Sequence, residues 1–93
     1  MRVLIMDVLI YLPWSHSLKE KRREKAKIID RMKNRWNISI METDYQDFHQ
    51  SLFLAMACVC LDEGSALAKR DEIQKDLDEI TDGILQKMSW EIR

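Results

Sequence analysis

Lys19, Arg23, Lys27, Arg31 and Arg35 recur at four-residue intervals. On a helix they predict one positively charged ridge, and a row of cations is chemistry suited to the phosphates of a nucleic acid. Like charges four apart cost an isolated helix roughly 0.2–0.5 kcal/mol per pair. Such a ridge therefore needs compensation, either from the neighbouring Glu20, Glu24 and Asp30 or from an anionic partner. The other reactive side chains promise less. Cys58 and Cys60 lie two apart on a strand, so they share a face and cannot close an ordinary disulfide. With no further Cys and no closely spaced His they make no zinc set, and both read as buried hydrophobes. His16 and His49 stand apart from any nucleophile and read as loop or surface residues. Glu42, Asp44 and Asp47 sit at spacings that let carboxylates converge on a hard cation, but beside a basic helix they read more simply as an ion-pair network. Gly64 and Gly83 are the only glycines, so there is no glycine-rich phosphate loop. Neither an enzyme nor a bound cofactor is expected.

The elements that must position these residues follow from periodicity. Val3 to Leu12 is rich in Val, Ile and Leu and stops at Pro13, a strand with a terminator. Ser17, with Glu20 three residues on, makes a capping box for a helix running to about Arg35. Its apolar stripe is Leu18, Ile29, Met32 and Trp36, with Ala26 and Ile28 at the flanks. Arg22 and Lys25 lie toward this stripe. Arg22 is expected either to run its methylenes along the core edge or to pair with the Glu42, Asp44, Asp47 cluster or with Glu91. Ile38 to Met41 is a short strand, Leu52 to Leu61 a third, and Ile84 to Ile92 a fourth. Between the last two, Gly64-Ser65 opens a helix with Ala66, Ile73, Leu77 and Ile80 on its inner stripe, and Gly83 stands where a left-handed C-cap is wanted.

This order, β-α-β-β-α-β, predicts an α+β, ferredoxin-like split βαβ fold: one domain over residues 1–93, with a four-stranded antiparallel sheet and both helices on one face. Two helices cover only one side of the sheet, yet the first and third strands are apolar on both sides. The outward set includes Leu9, Tyr11, Phe53, Ala55, Ala57 and Val59, with Asp7 the sole charge on the first strand. A half-solvated sheet alternates apolar with polar residues, so these six are expected to form an oligomer interface, most simply in a homodimer. Stacking of bases on Phe53 and Tyr11 is the alternative.

The net charge of −1 conceals a strongly uneven distribution. From Ser15 to Trp36 nine basic residues face three acids, and from Leu61 to Asp82 eight acids face three basic residues. One helix is basic and the other acidic, so mutual attraction of the two helices competes with a binding face as the explanation of the ridge. The fractions, 46% hydrophobic and 33% charged, describe an ordered globular chain. The apolar N-terminal run is too short to span a bilayer and carries no cleavage pattern, so a cytoplasmic protein without membrane association is expected.

The segments SLKEKRR (Ser17 to Arg23) and IIDRMKNRWNISIMETDYQD (Ile28 to Asp47) resemble the YlxP-like family of small bacterial proteins, a domain of unknown function. The resemblance covers nearly the whole chain, including the apolar first strand that ends in proline and Glu91 near the C-terminus. It implies a ferredoxin-like fold. It also implies a link to translation, because genes of this family are often found beside those for initiation factor two and ribosome-binding factor A. The chain departs from the family pattern at Glu24 and Lys25, where small aliphatic residues are usual. It departs again at Trp14-Ser15-His16, where a glycine-containing turn is usual.

Three function classes emerge. The first is a non-catalytic accessory protein that binds ribosomal RNA or the ribosome through Lys19, Arg23, Lys27, Arg31 and Arg35. The second is a dimeric regulatory module with a small molecule at its seam. The third is a metal-dependent nuclease using Asp7 or the acids between Glu42 and Asp47.

Overall fold

Predominantly apolar sequences, broken in β1 by Asp7, make β1 (Arg2–Tyr11) and β3 (Ser51–Cys60) the two central strands of one antiparallel sheet. The computed structural model describes all 93 residues. Around the central pair it places α1 (Leu18–Arg35), β2 (Ile38–Asp44), α2 (Glu63–Ile80) and β4 (Ile84–Ile92). The sheet order is β2-β3-β1-β4, and with both helices on one face this is the ferredoxin-like α+β fold. β1 and β3 pair without a slip from Arg2↔Cys60 to Tyr11↔Ser51. The outer strands each shift register once, β4 between Leu85 and Lys87, opposite Ile10 and Leu9 of β1, and β2 between Glu42 and Asp44. No helix is long and apolar enough to cross a membrane.

The ends of the elements have local causes. Ser17 caps α1, its hydroxyl accepting the Glu20 N–H at 3.1 Å. Glu20 reaches back to the His16 N–H at 3.0 Å instead of to Ser17, so the expected box closes one residue further out. α2 carries the full reciprocal arrangement, Asp62 with Ser65, and begins at Glu63. Gly83 departs from expectation: Thr81 caps α2 in an extended conformation and no glycine has a positive φ. Gly83 is required for space, because a Cβ there would lie 2.6 Å from Leu12 Cδ2 and 2.7 Å from the Tyr11 carbonyl oxygen.

The core lies between sheet and helices. Leu4, Met6, Val8 and Ile10 of β1 and Leu52, Leu54, Met56, Cys58 and Cys60 of β3 meet Ile28 and Met32 of α1 and Ala66, Ile73 and Leu77 of α2. The face that α1 buries differs from the expected stripe. It consists of Lys21, Glu24, Ile28 and Met32, with Ile29 and Trp36 at its border and Ala26 exposed. Two charged residues therefore sit on the core side of this helix, and each must find partners there.

Candidate nucleic-acid interface

Four-residue spacing is not straight on an α-helix. Each step advances about 400° around the axis, so the row drifts about 40° per step and about 160° from Lys19 to Arg35. Lys19 and Arg23 consequently face solvent, whereas Lys27, Arg31 and Arg35 swing into the seam with α2. The expected single ridge divides into two groups in different surroundings.

In the seam the cations are already matched. The Asp76 carboxylate, 1% exposed, lies 3.1 Å from Arg31 Nη2 and 2.8 Å from Arg35 Nη1, and its second oxygen accepts from the Trp36 indole N–H at 3.3 Å. Lys27 Nζ lies 2.8 Å from Glu24 and 2.9 Å from Asp82. Partial burial alone would lower the Lys27 pKa, but the hydrogen bonds and charges of Glu24 and Asp82 outweigh it and hold the ammonium above its ordinary value. Buried Glu24 also accepts from the Thr81 hydroxyl at 2.7 Å and the Asp82 N–H at 2.8 Å. It thereby ties the middle of α1 to the end of α2.

Lys21 solves the second buried charge differently. Its side chain is 2% exposed, and Nζ donates to the carbonyls of Tyr45, Gln46 and Ser51 at 2.8, 3.2 and 3.1 Å. These three acceptors use all three ammonium protons. The Glu42 carboxylate, 2.8 Å away, therefore adds a Coulombic contact rather than a further hydrogen bond. Lys25 pairs with the other Glu42 oxygen at 3.3 Å. Of the acidic cluster only Glu42 meets α1, through Lys21 and Lys25, while exposed Asp44 and Asp47 make no ion pair with the helix. Arg22, expected near the apolar stripe, is exposed. The clamp fixes the β2–β3 loop, in which Tyr45 adopts φ 57° and its ring meets Phe48 and Phe53 at 5.8 and 6.0 Å.

What remains open on α1 is an arc comprising Lys19, Arg22, Arg23 and Lys33, all exposed and none within ion-pair distance of an acid. Asp30 is the single acid on this arc. The four cations span about 100° of the helix circumference and about 21 Å of its length. Arg22 and Lys33 were not on the expected ridge; projection at 100° per residue from Lys19 places both beside it.

The remaining candidates disperse. No three His, Cys, Asp or Glu side chains group as metal ligands. Glu42 is held by the two lysines, and Asp44 accepts the Tyr45 N–H at 2.8 Å. Asp7 lies on the open face of the sheet, hydrogen-bonded by the Ser89 hydroxyl. Cys58 and Cys60 are free, buried thiols. Burial, reinforced by Cys60, pushes the Cys58 pKa up to about 11. His16 is exposed, and His49 Nδ1 lies 2.9 Å from the Ser15 carbonyl.

The second surface is the uncovered sheet face. Leu9, Tyr11, Phe53, Ala55 and Ala57 are half-buried there, and Val59 is 51% exposed. Met41 on β2 extends the patch at 62% exposed. The small side chains of Ala55 and Ala57 leave a shallow apolar depression of about 390 Å³, bordered by Ile5 and Met41.

No curated protein matches the chain. The family model described as "Protein of unknown function (DUF503)" matches residues 3–90. That match spans β1 through most of β4, and the chain belongs to this family.

Proposed function

We propose that this is a non-catalytic accessory protein that binds structured RNA, ribosomal RNA in particular, through the exposed arc of α1. The observation that carries the reading is the set of four unpaired cations, Lys19, Arg22, Arg23 and Lys33, on one helical face with a single acid among them. Unmatched positive charge of this kind lowers its energy by displacing condensed counterions from a phosphate backbone, without reading bases. The inner three cations of the ridge, Lys27, Arg31 and Arg35, serve the fold, because their charge is consumed by Glu24, Asp76 and Asp82. The resemblance to YlxP-like proteins, with its link to translation, supports ribosomal RNA as the partner and a cytosolic location. Binding of a fluorescent ribosomal RNA fragment to the protein and to a Lys19→Gln, Arg22→Gln, Arg23→Gln, Lys33→Gln variant tests the reading. Loss of affinity with an unchanged melting temperature is expected, and equal affinity would remove it.

A second reading, a regulatory module that takes a small apolar molecule, is favoured by the depression between Ile5, Met41, Ala55 and Ala57. Thermal stabilisation by a member of a metabolite panel, abolished by Ala57→Phe, distinguishes it from the first.

A further inference from the structure

The face of the sheet opposite the helices carries residues whose order is complementary to itself. Cross-strand pairing sets them in rows: Lys87–Leu9–Phe53–Asp44, then Ser89–Asp7–Ala55–Met41, then Glu91–Ile5–Ala57–Ser39. We propose that a second copy of this chain covers this face, related by a two-fold axis that runs across the strands along the middle row. The axis exchanges the first and third rows. Lys87 then lies over the partner's Glu91, Leu9 over the partner's Ile5, and the ring of Phe53 over the space left by the partner's Ala57. Large meets small and positive meets negative, twice each, which is what an isologous interface requires. Antiparallel strands close to this alignment also match the usual aligned packing of two sheets.

The area suffices. β1 and β3 are ten residues each. At about 3.3 Å per residue and about 4.8 Å between strands, the four-stranded face measures roughly 600 Å². Two copies bury about 1,200 Å², the lower bound of a specific, stable interface. A small ligand would occupy only the central depression and leave Val3, Leu9 and Val59 wet, whereas a second sheet covers them all. The basic arc of α1 lies in the opposite layer, so the dimer and the RNA contact stand or fall separately.

One feature opposes the dimer and is diagnostic of its register. Asp7, one of the two central residues of the middle row, faces the partner's Asp7 across the axis. Ser89 hydrogen-bonds each carboxylate, but the two charges still repel, so Asp7→Asn is expected to tighten association roughly fivefold.

Sedimentation equilibrium of the full chain over a concentration series, with far-UV circular dichroism to confirm folding, tests the arrangement. The protein is expected to be a dimer at micromolar concentration and Phe53→Asp a folded monomer. Lys87→Glu and Glu91→Lys are each expected to weaken association roughly tenfold, and the double charge swap to restore it. The swap decides the matter even if Phe53→Asp does not fold. A monomeric unmutated chain overturns the proposal, as does a double swap no tighter than either single change.

Discussion

Replacing Lys21 by Met removes a charge from the core without changing side-chain volume by much, and it is expected to be among the most damaging single substitutions outside the apolar core. The ammonium holds three carbonyls and a carboxylate within 3.2 Å. Deleting one member of a buried ion pair costs about 3–5 kcal/mol, because the remaining charge is left in a poor solvent. Here Lys25 still reaches Glu42 at 3.3 Å, and the Tyr45 carbonyl keeps the Phe48 N–H at 3.0 Å. The loss therefore falls near the bottom of that range, about 3 kcal/mol. For a domain of this size it lowers the melting temperature by roughly 12–24 °C. Urea unfolding followed by tryptophan fluorescence measures it. Glu42→Leu in the Lys21→Met background is expected to recover part of the loss, since it removes the carboxylate left behind. A cost below about 1 kcal/mol for Lys21→Met, or a double variant no more stable than the single, would mean that the buried ammonium does not hold the loop to α1.

Gly83→Ala is expected to destabilise by about 2–3 kcal/mol through overpacking, since the new methyl meets the Tyr11 backbone oxygen, which cannot rotate away; the same unfolding assay checks it. Cys58 stays protonated in the folded protein up to about pH 11, whereas an unfolded thiol ionises near 9. The fold therefore binds the extra proton between these values, and the stability present below pH 9 declines as the pH rises toward 11. Cys58→Val is expected to flatten that decline in pH-dependent urea unfolding, and the native thiol is expected to resist iodoacetamide at pH 8 until urea is added.

Much of the fold was legible because its signals are local. Apolar runs in β1 and β3, the Pro13 stop and the Ser17 cap marked the elements in order, and the two-sided apolarity of β1 and β3 revealed the open face. The charged positions on α1 were not legible in the same way. Lys21 and Glu24 fall on the buried arc, but the backbone carbonyls and the end of α2 that satisfy them are at least 24 residues distant in the chain. Nothing in a helical periodicity announces such acceptors, so charged side chains are assigned outward by default. The basic ridge failed for a geometric reason, since spacing of four differs from 3.6 and the row winds from solvent into the seam. Gly83 looked like a backbone cap because glycine after a helix usually is one; its requirement is tertiary, imposed by β1.

The dependence of RNA affinity on salt, measured for two variants side by side, separates the RNA-binding cations of α1 from those that serve the fold. One variant replaces the outer cations, Lys19, Arg22, Arg23 and Lys33, with Gln; the other replaces the inner Lys27, Arg31 and Arg35. Each phosphate contact adds about 0.7–0.9 to the slope of log affinity against log salt. The outer variant is expected to flatten the slope by about three units and to keep its melting temperature. The inner variant is expected to keep the slope and melt lower, because it strips the cationic partners from buried Glu24 and Asp76. Salt-independent binding by the unmutated protein, or a slope flattened by the inner variant and untouched by the outer one, would show that the outer arc of α1 does not bind phosphates.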